Sequence, residues 1–255
     1  MKVERVLTSA DLLMWTPRCV EDLADLSEEV GVVVSEATLF CQRTFRKAFA
    51  GLKDSLPYLR AILLADQPEA LPRPLPFPTG EVCVMPVDLP LLPKEIAWAR
   101  LDAWKAHVRA QLRGLTHLPL ALREALVVVL DQRIPLWNEN GQTIHTVGAV
   151  ARRIGVSREH LSRAAGGKEF GLPAYLDACN ALNALAEAEI EERSWSEVAV
   201  RMGYSWQSGL TQLLKRGLGV IPTGARTRSL EEWVLWWEHH VLKPLLVDGL
   251  ERHTE

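Results

Sequence analysis

Apolar residues recur three or four positions apart through most of the chain after residue 92, a spacing that places them on one face of an α-helix. The longest such segment is LPAYLDACNALNALAEAEIEER, residues 172–193, with no glycine or proline beyond its first turn. It predicts one helix of about 20 residues, which spans roughly 30 Å at about 1.5 Å per residue. Its apolar positions include Tyr175, Leu176, Leu182, Leu185 and Ile190.

Before residue 113 the pattern alternates between strands and helices. Apolar runs predict strands at GVVVSEA, RAILLAD and EVCVMPV, residues 31–37, 60–66 and 81–87. Amphipathic patterns predict helices near residues 41–56 and over residues 93–112, and a proline-rich loop lies between the second and third strands. This alternation indicates a parallel sheet with helices on its faces. The predicted fold class is therefore a small α/β part followed by an all-helical part.

Two segments of the helical part repeat at an offset of 48 residues. Each copy predicts a helix, a turn at a glycine with positive φ, and a second helix capped by a serine. Helix, turn and capped helix form a helix-turn-helix, whose second helix can enter the major groove of DNA. The matching pairs are Val147 with Trp195, Val150 with Val198, Ala151 with Ala199, Ile154 with Met202, Gly155 with Gly203 and Ser157 with Ser205.

The predicted long helix joins these two copies. Successive major-groove faces on one side of DNA lie about 34 Å apart, close to the length of that helix. One chain is therefore expected to present two recognition helices to adjacent grooves. The second of them is predicted from Trp206 to Lys215 and ends at Gly219–Pro222.

The C-terminal segment SLEEWVLWWEHHVLKPLL predicts a further amphipathic helix, with Ser229 and the acids after it forming a capped start. Its apolar stripe has to be buried on the same chain or on a partner, and we expect the same chain. The stripe holds Leu230, Trp233, Val234, Trp237 and Val241, with Trp236 to one side.

Charge modifies this picture, because the net charge of −3 over 255 residues hides an asymmetry. Residues 145–228 carry 11 Lys+Arg against 8 Asp+Glu, whereas the remaining residues carry 18 against 24. A mildly basic module within an acidic chain fits salt-sensitive DNA binding, and it equally fits ordinary solvated helix faces. No glycine-rich phosphate loop, nucleophile elbow or His-Glu-x-x-His motif is present, so we expect no enzyme.

Composition also bears on compartment and cofactors. The four cysteines are scattered without a close pair, which argues against a disulfide framework and a Cys-x-x-Cys zinc site and favours a reducing compartment. His160 has no second metal ligand at helical spacing. No signal peptide or membrane-spanning run is visible. We therefore expect a cytoplasmic chain without metal, cofactor or membrane partner.

The helical part resembles the DNA-binding domain of the AraC/XylS transcriptional regulators over residues 118–228. The motifs are AVARRIGVSREHLSR, the following FGLPAYL, and WSEVAVRMGYSWQSGLTQLLKRGLGVIPTGAR with its Gly219, Pro222 and Arg226 ending. The resemblance implies double-stranded DNA as the partner, with RNA polymerase and a second copy of the chain as further candidates. It divides the chain into residues 1–112, the DNA-binding domain 113–228, and the C-terminal helix 229–255.

Helix geometry selects candidate DNA-binding residues on both recognition helices, with Leu161, Leu210 and Leu213 turned to the core. Arg pairs with guanine, Glu accepts from cytosine, Gln suits adenine, and Thr or an exposed Trp contacts the thymine methyl group. For each residue a solvated helix surface is the alternative, and for Trp206 a packing anchor. The candidates are Arg158, Glu159, His160, Ser162, Arg163, Trp206, Gln207, Ser208, Thr211, Gln212, Lys215 and Arg216.

The segment from residue 31 to 112 weakly resembles the later strands of a response-regulator receiver domain, on VVVSEATL, LRAILLAD and VCVMPVDLPLL. A small α/β domain unrelated to receivers is the alternative. A receiver needs an Asp nucleophile, a hydroxyl and a Lys where this chain has Glu36, Ala65 and Met85. We therefore expect a domain that cannot accept phosphate and that serves regulation or dimerisation through contacts.

Two functions follow from these patterns. The first is a sequence-specific transcription regulator that binds DNA through both helix-turn-helix motifs. The second is a protein-interaction module that keeps this fold with little DNA affinity, favoured by Gly166 and Gly167 in the first recognition helix and by Gln212 where the family often has Arg. The first requires Arg158, Arg163, Lys215 and Arg216 to lie on one surface.

Overall fold

The computed structural model describes residues 32–36, 60–65, 82–86, 92–132, 143–165 and 171–247, together with Lys47 and Gly51. The chain divides into two compact units, Met1–Val108 and Arg109–Glu255. The predicted division at residues 112 and 228 remains a prediction. The proline-rich loop lies outside the described residues, as does the helix near residues 41–56 except for Lys47 and Gly51, which are helical.

In the first unit the three described strands form a parallel sheet. They are β1 (Val32–Glu36), β2 (Arg60–Ala65) and β3 (Val82–Pro86), arranged in the order β1-β2-β3. Leu64 pairs with Glu36 on one side and with Met85 on the other. The predicted strands and their parallel direction are confirmed. Helix α1 (Leu92–Gly114) confirms the predicted helix over residues 93–112, and the boundary between the units falls within it.

The described part of the second unit is helical, as predicted for this part of the chain. A π-helical turn over Glu238–Leu242 makes the C-terminal helix continuous. Within the described residues, no helix is long and apolar enough to cross a membrane. After α1 the helices are α2 (Leu120–Leu130), α3 (Val147–Arg153), α4 (Arg158–Ala165), α5 (Leu172–Ile190), α6 (Trp195–Arg201), α7 (Gln207–Leu218), α8 (Pro222–Ala225), α9 (Leu230–Trp237) and α10 (Lys243–Val247).

Helix α5 is the centre of the second unit. It is 19 residues long, and most of its side chains are buried, because α2, α7 and α9 pack around it. Gly217 of α7 makes one of these contacts close, since a Cβ at that position would lie 2.5 Å from the carbonyl oxygen of Asp177. The five apolar positions predicted for this helix are all buried: Tyr175, Leu176, Leu182, Leu185 and Ile190.

Two buried asparagines fix the chain on both sides of residues 133–142 to α5. Asn183 Nδ2 donates to the carbonyl oxygen of Gln132 at 3.0 Å, and Asn180 Nδ2 donates to that of Ile144 at 2.9 Å. The amide oxygen of Gln132 accepts from the backbone N–H of Ile144 at 2.9 Å. Buried amides with these partners escape most of the cost of desolvation. The start of the first helix pair is thereby held against the central helix.

The repeated segments form two helix pairs, α3 with α4 and α6 with α7. Gly155 and Gly203 occupy the turns with φ of 74° and 83°, a backbone region that glycine enters without strain. Ser157 caps α4 as predicted, because its Oγ accepts from the backbone N–H of His160 at 3.0 Å. The prediction for Ser205 is wrong: α7 starts one residue later, and Trp206 is its N-cap without a side-chain hydrogen bond.

The C-terminal helix packs on its own chain, which confirms the expectation for its apolar stripe. The rings of Trp237 and Tyr175 meet edge to face with centroids 5.7 Å apart. Trp233 Nε1 donates to the carbonyl oxygen of Ala225 at 2.9 Å. Ser229 and Glu232 form a capping box at the start of α9, as the sequence predicts.

Candidate nucleic-acid interface

Helix α4 presents a polar face to solvent. Leu161 is fully buried, which fixes the rotation of the helix. Glu159 carries a lowered pKa, because hydrogen bonds from its own backbone N–H and from Ser157 stabilise the carboxylate. It is therefore an acceptor at neutral pH. The exposed side chains are those predicted: Arg158, Glu159, His160, Ser162 and Arg163.

Helix α7 has the same arrangement. Leu210 and Leu213 are buried, as predicted, and Gly219 ends the helix with a φ of 73°. Trp206 is 78% exposed, which excludes the packing-anchor alternative for this side chain. Thr211 is partly exposed, and its hydroxyl donates to the carbonyl oxygen of Gln207 at 3.1 Å. The remaining predicted residues are exposed: Gln207, Ser208, Gln212, Lys215 and Arg216.

A cleft of about 710 Å³ lies between the two helix pairs and the start of α5. Arg152, Arg158 and Arg216 line it, together with the carboxylate of Asp177. The hydroxyl-bearing residues Thr146 and Ser157 and the imidazole of His145 complete its polar wall. The cleft is therefore basic and rich in hydrogen-bonding groups, a combination that suits a phosphate oxygen.

Arg216 does not extend freely from α7. Its Nε donates to Asp177 Oδ2 at 2.7 Å and its Nη2 donates to Asp177 Oδ1 at 3.2 Å, so the guanidinium fork is paired with the carboxylate. The hydrogen bond to Asp177 raises the pKa of Arg216. The sequence predicted Arg216 as a DNA ligand but missed this pair, because the two residues are 39 positions apart and on different helices.

Another contact joins the residue before the first helix pair to the turn of the second pair. His145, just before α3, places Nε2 at 2.6 Å from the carbonyl oxygen of Met202 in the turn of the second pair. Its ring also lies 5.0 Å from that of Tyr204, measured between centroids. Tyr204 in turn covers Gly209, where a Cβ would lie 2.5 Å from the tyrosine ring. Neither His145 nor Tyr204 is among the residues predicted from the sequence.

The regulator function requires four cationic residues to lie on one surface, and the structure places three of them on connected depressions. Arg158 and Arg163 line one open depression of about 490 Å³, with Glu159 and Ser162. Arg158 also lines the cleft with Arg216, so three of the four cations are connected through one residue. Lys215 lines neither cavity. Arg152, which is not among the predicted residues, adds a further cation to this surface.

Gly166 and Gly167 lie outside the described residues, so the continuation of α4 beyond Ala165 is left as predicted. Within the described residues, no group of three or more His, Cys, Asp or Glu side chains is arranged to hold a metal ion.

Comparisons of the chain with protein-family models, with curated protein sequences and with solved structures give no match. The assignment to a class of function therefore rests on the residues and geometry described above.

Proposed function

We propose that this protein is a sequence-specific, double-stranded DNA-binding transcription regulator of the AraC type, with α4 and α7 in successive major grooves. The observation that carries the proposal is the duplicated helix pair. Both copies have a glycine with positive φ in the turn, at least one buried leucine on the second helix, and polar side chains facing solvent on that helix. A helix exposed in this way can place its first residues against base edges.

The spacing of the two pairs supports the same function. Helix α5 joins them, and its 19 residues span roughly 28 Å at about 1.5 Å per residue. Adjacent major grooves on one face of DNA recur after about 34 Å, so moderate bending of the duplex is enough to bring both grooves to the protein. The contact of His145 with the turn of the second pair limits how far the two pairs can separate.

The distribution of charge supplies the nonspecific part of binding. Arg152 and Arg163 are exposed on parts of the surface that are connected through Arg158. Neutralisation of phosphates by such side chains releases counterions, which makes affinity fall as salt rises. The residues proposed to read bases are Arg158, Glu159 and Gln207, whose side chains match guanine, cytosine and adenine respectively.

For the first unit we propose a receiver-like regulatory or dimerisation role without phosphorylation. Glu36 and Ala65 are the last residues of β1 and β2, and Met85 lies one position before the end of β3. The carboxyl ends of parallel strands form the edge where such folds hold their ligands. None of these three residue types supplies an aspartyl nucleophile, a hydroxyl or a lysine. A stable phosphorylated species after incubation with acetyl phosphate and magnesium would overturn this role.

A protein-interaction module is the second candidate function, and one observation favours it. Trp206 and Val200 are 78% and 52% exposed. Exposed tryptophan is typical of the centre of protein interfaces, where it contributes a large share of the binding energy. In this alternative, the exposed surfaces of α6 and α7 contact another protein and the arginines are part of the polar rim.

Selection from a random duplex pool with the full-length protein separates the two candidates. A regulator enriches two short sequence blocks about one helical turn apart, and its affinity for the selected duplex falls steeply with salt. The variant Arg158→Ala with Arg163→Ala serves as a matched control that is expected to lose this enrichment. Absence of enrichment, together with negligible duplex binding at low salt, would overturn the regulator and favour the interaction module.

A further inference from the structure

The cleft between the helix pairs contains one contact that opposes binding of an anion. Asp177 occupies both the Nε and the Nη2 of Arg216, and these two groups form the fork with which arginine grips a phosphate. Among the described residues lining the cleft, Asp177 is the one with a carboxylate. The cleft thus has three arginines in its lining, one of which is held by an internal anion.

We propose that Asp177 competes with a DNA backbone phosphate for Arg216 and thereby limits the affinity of this protein for DNA. The proposal rests on the proposed function and adds to it a residue that controls binding strength. In the state described by the structure, Arg216 is paired with Asp177. In the bound state, a phosphate enters the cleft beside Arg152, and Arg216 turns from the carboxylate to the phosphate.

The position of the cleft favours backbone phosphate as the occupant. Recognition helices in successive major grooves leave the intervening backbone facing the protein surface between them. The cleft lies at that surface, because α3 and α4 form one wall and Arg216 of α7 contributes to the other. Its volume of about 710 Å³ exceeds what a single phosphate group needs.

The exposure of the pair makes exchange of partners feasible. The side chain of Arg216 is 55% exposed and that of Asp177 is 20% exposed. A pair this open to solvent contributes little to folding, so it can break without unfolding the surrounding helices. Asp177 lies on the central helix α5. Its side chain is shorter than that of Arg216, so the exchange of partners requires movement of the arginine side chain.

The test is a set of full-length variants measured on one mixed-sequence duplex by fluorescence anisotropy over a range of salt concentrations. Asp177→Asn is expected to bind roughly tenfold more tightly than the wild type at moderate salt, the scale of one added charge-assisted contact. Its plot of log affinity against log salt is expected to be steeper by about one unit, because one more cation meets a phosphate.

A matched control removes the same charge at a different carboxylate-arginine pair. Asp131 accepts from Arg109 at 2.7 Å, and neither residue lines the cleft. Asp131→Asn changes the net charge as Asp177→Asn does, so it reports the general electrostatic effect alone, and its affinity is expected to stay within about twofold of wild type. In an Arg216→Gln background, Asp177→Asn is expected to give no gain, because the arginine it would release is absent.

Each outcome decides between stated alternatives. Equal or weaker duplex binding by Asp177→Asn, while the wild type binds, overturns the competition and leaves the proposed function intact. Failure of both proteins to bind any duplex at low salt overturns the proposed function and the competition together. A third outcome is that inorganic phosphate raises the free energy of unfolding of Asp177→Asn more than chloride does at equal ionic strength, while duplex affinity stays unchanged. That result would mean that the cleft binds a free anion, and it would overturn the proposal that the phosphate belongs to DNA.

Discussion

Glu187 and Arg201 form a buried ion pair, with the carboxylate Oε2 at 3.1 Å from the guanidinium Nε. Their side chains are 7% and 10% exposed, and the arrangement does not meet the geometry of a hydrogen bond. The same carboxylate oxygen accepts from Arg193 Nε at 3.1 Å. Glu187 lies on α5 and Arg201 ends α6, so this pair ties the second helix pair to the central helix.

Glu187→Gln is expected to lower the free energy of unfolding by about 3 kcal/mol, because removal of one partner leaves the buried guanidinium of Arg201 without a counterion among the described residues. Urea unfolding followed by circular dichroism measures the change. Glu189→Gln, at an exposed position on the same helix, is the control and is expected to stay within about 0.5 kcal/mol of wild type. Equal stability of the two variants would show that the ion pair does not support the fold.

Gly217→Ala is expected to destabilise the protein even though alanine favours helix by up to about 1 kcal/mol. The added Cβ would lie 2.5 Å from the carbonyl oxygen of Asp177 and 2.8 Å from Ala181 Cβ, so α7 has to move away from α5. We expect a loss of about 2 kcal/mol, in the range of overpacked cores.

Gly148→Ala is the matched substitution, since an added Cβ there would lie 3.9 Å from its nearest side-chain neighbour, Arg158 Cδ, and the residue is in helix α3. It is expected to be neutral or stabilising by up to about 1 kcal/mol. Thermal or denaturant unfolding of both variants gives the comparison. A Gly217→Ala protein as stable as Gly148→Ala would contradict a steric requirement for glycine between α5 and α7.

The spacing of apolar residues along the sequence predicts which side of each helix faces the core. Helical periodicity places Leu161, Leu210 and Leu213 in the core, and all three are buried. Contacts between distant segments carry no such signal. The pairs Asp177 with Arg216 and His145 with Met202 join residues 39 and 57 positions apart. The periodicity of one helix does not indicate which distant segment that helix contacts.

The same limit explains the error at Ser205. The repeat aligns Ser205 with Ser157, and the prediction gave both the same capping role. In the second pair, however, the helix begins after Trp206, which moves the N-cap by one residue and leaves Ser205 outside the helix. Helix starts depend on tertiary packing as well as on cap residues. The same residue type at equivalent positions of a repeat therefore does not ensure the same capping hydrogen bond.

Tyr175 is expected to make the protein sensitive to alkali. Full burial raises the pKa of its hydroxyl well above the usual 10.0. The unfolded chain therefore releases this proton near its ordinary pKa while the folded chain retains it, so the contribution is present below about pH 10 and is lost as the pH rises further.

Tyr175→Phe removes this titration along with the hydrogen bond that the hydroxyl donates to the carbonyl oxygen of Leu126 at 3.1 Å. At neutral pH the variant is expected to be less stable by about 1 kcal/mol. Urea unfolding of both proteins between about pH 9 and about pH 11 should show the difference shrinking as the pH rises. A constant difference over that range would mean that the buried hydroxyl ionises alike in both states.

Lys215 and Gln207 are expected to make different contributions to DNA binding, under the function proposed above. Both are exposed on α7, but Lys215 is in its last turns and Gln207 is its first residue. An ammonium group suits a phosphate, whereas a carboxamide near the helix start suits an adenine edge. Lys215→Ala should weaken binding similarly on every duplex and lower the salt slope by about one.

Gln207→Ala should instead cost about 1–3 kcal/mol on the selected site alone and relax the preference at one base position. Lys243→Ala, which removes an exposed cation from the C-terminal helix α10, is the control and should leave both affinity and salt slope unchanged. The measurement is affinity for the selected duplex and for single-base variants of it, over a range of salt. If Gln207→Ala weakens binding equally on all duplexes, Gln207 contacts backbone rather than bases, and sequence reading by α7 has to rest on other side chains.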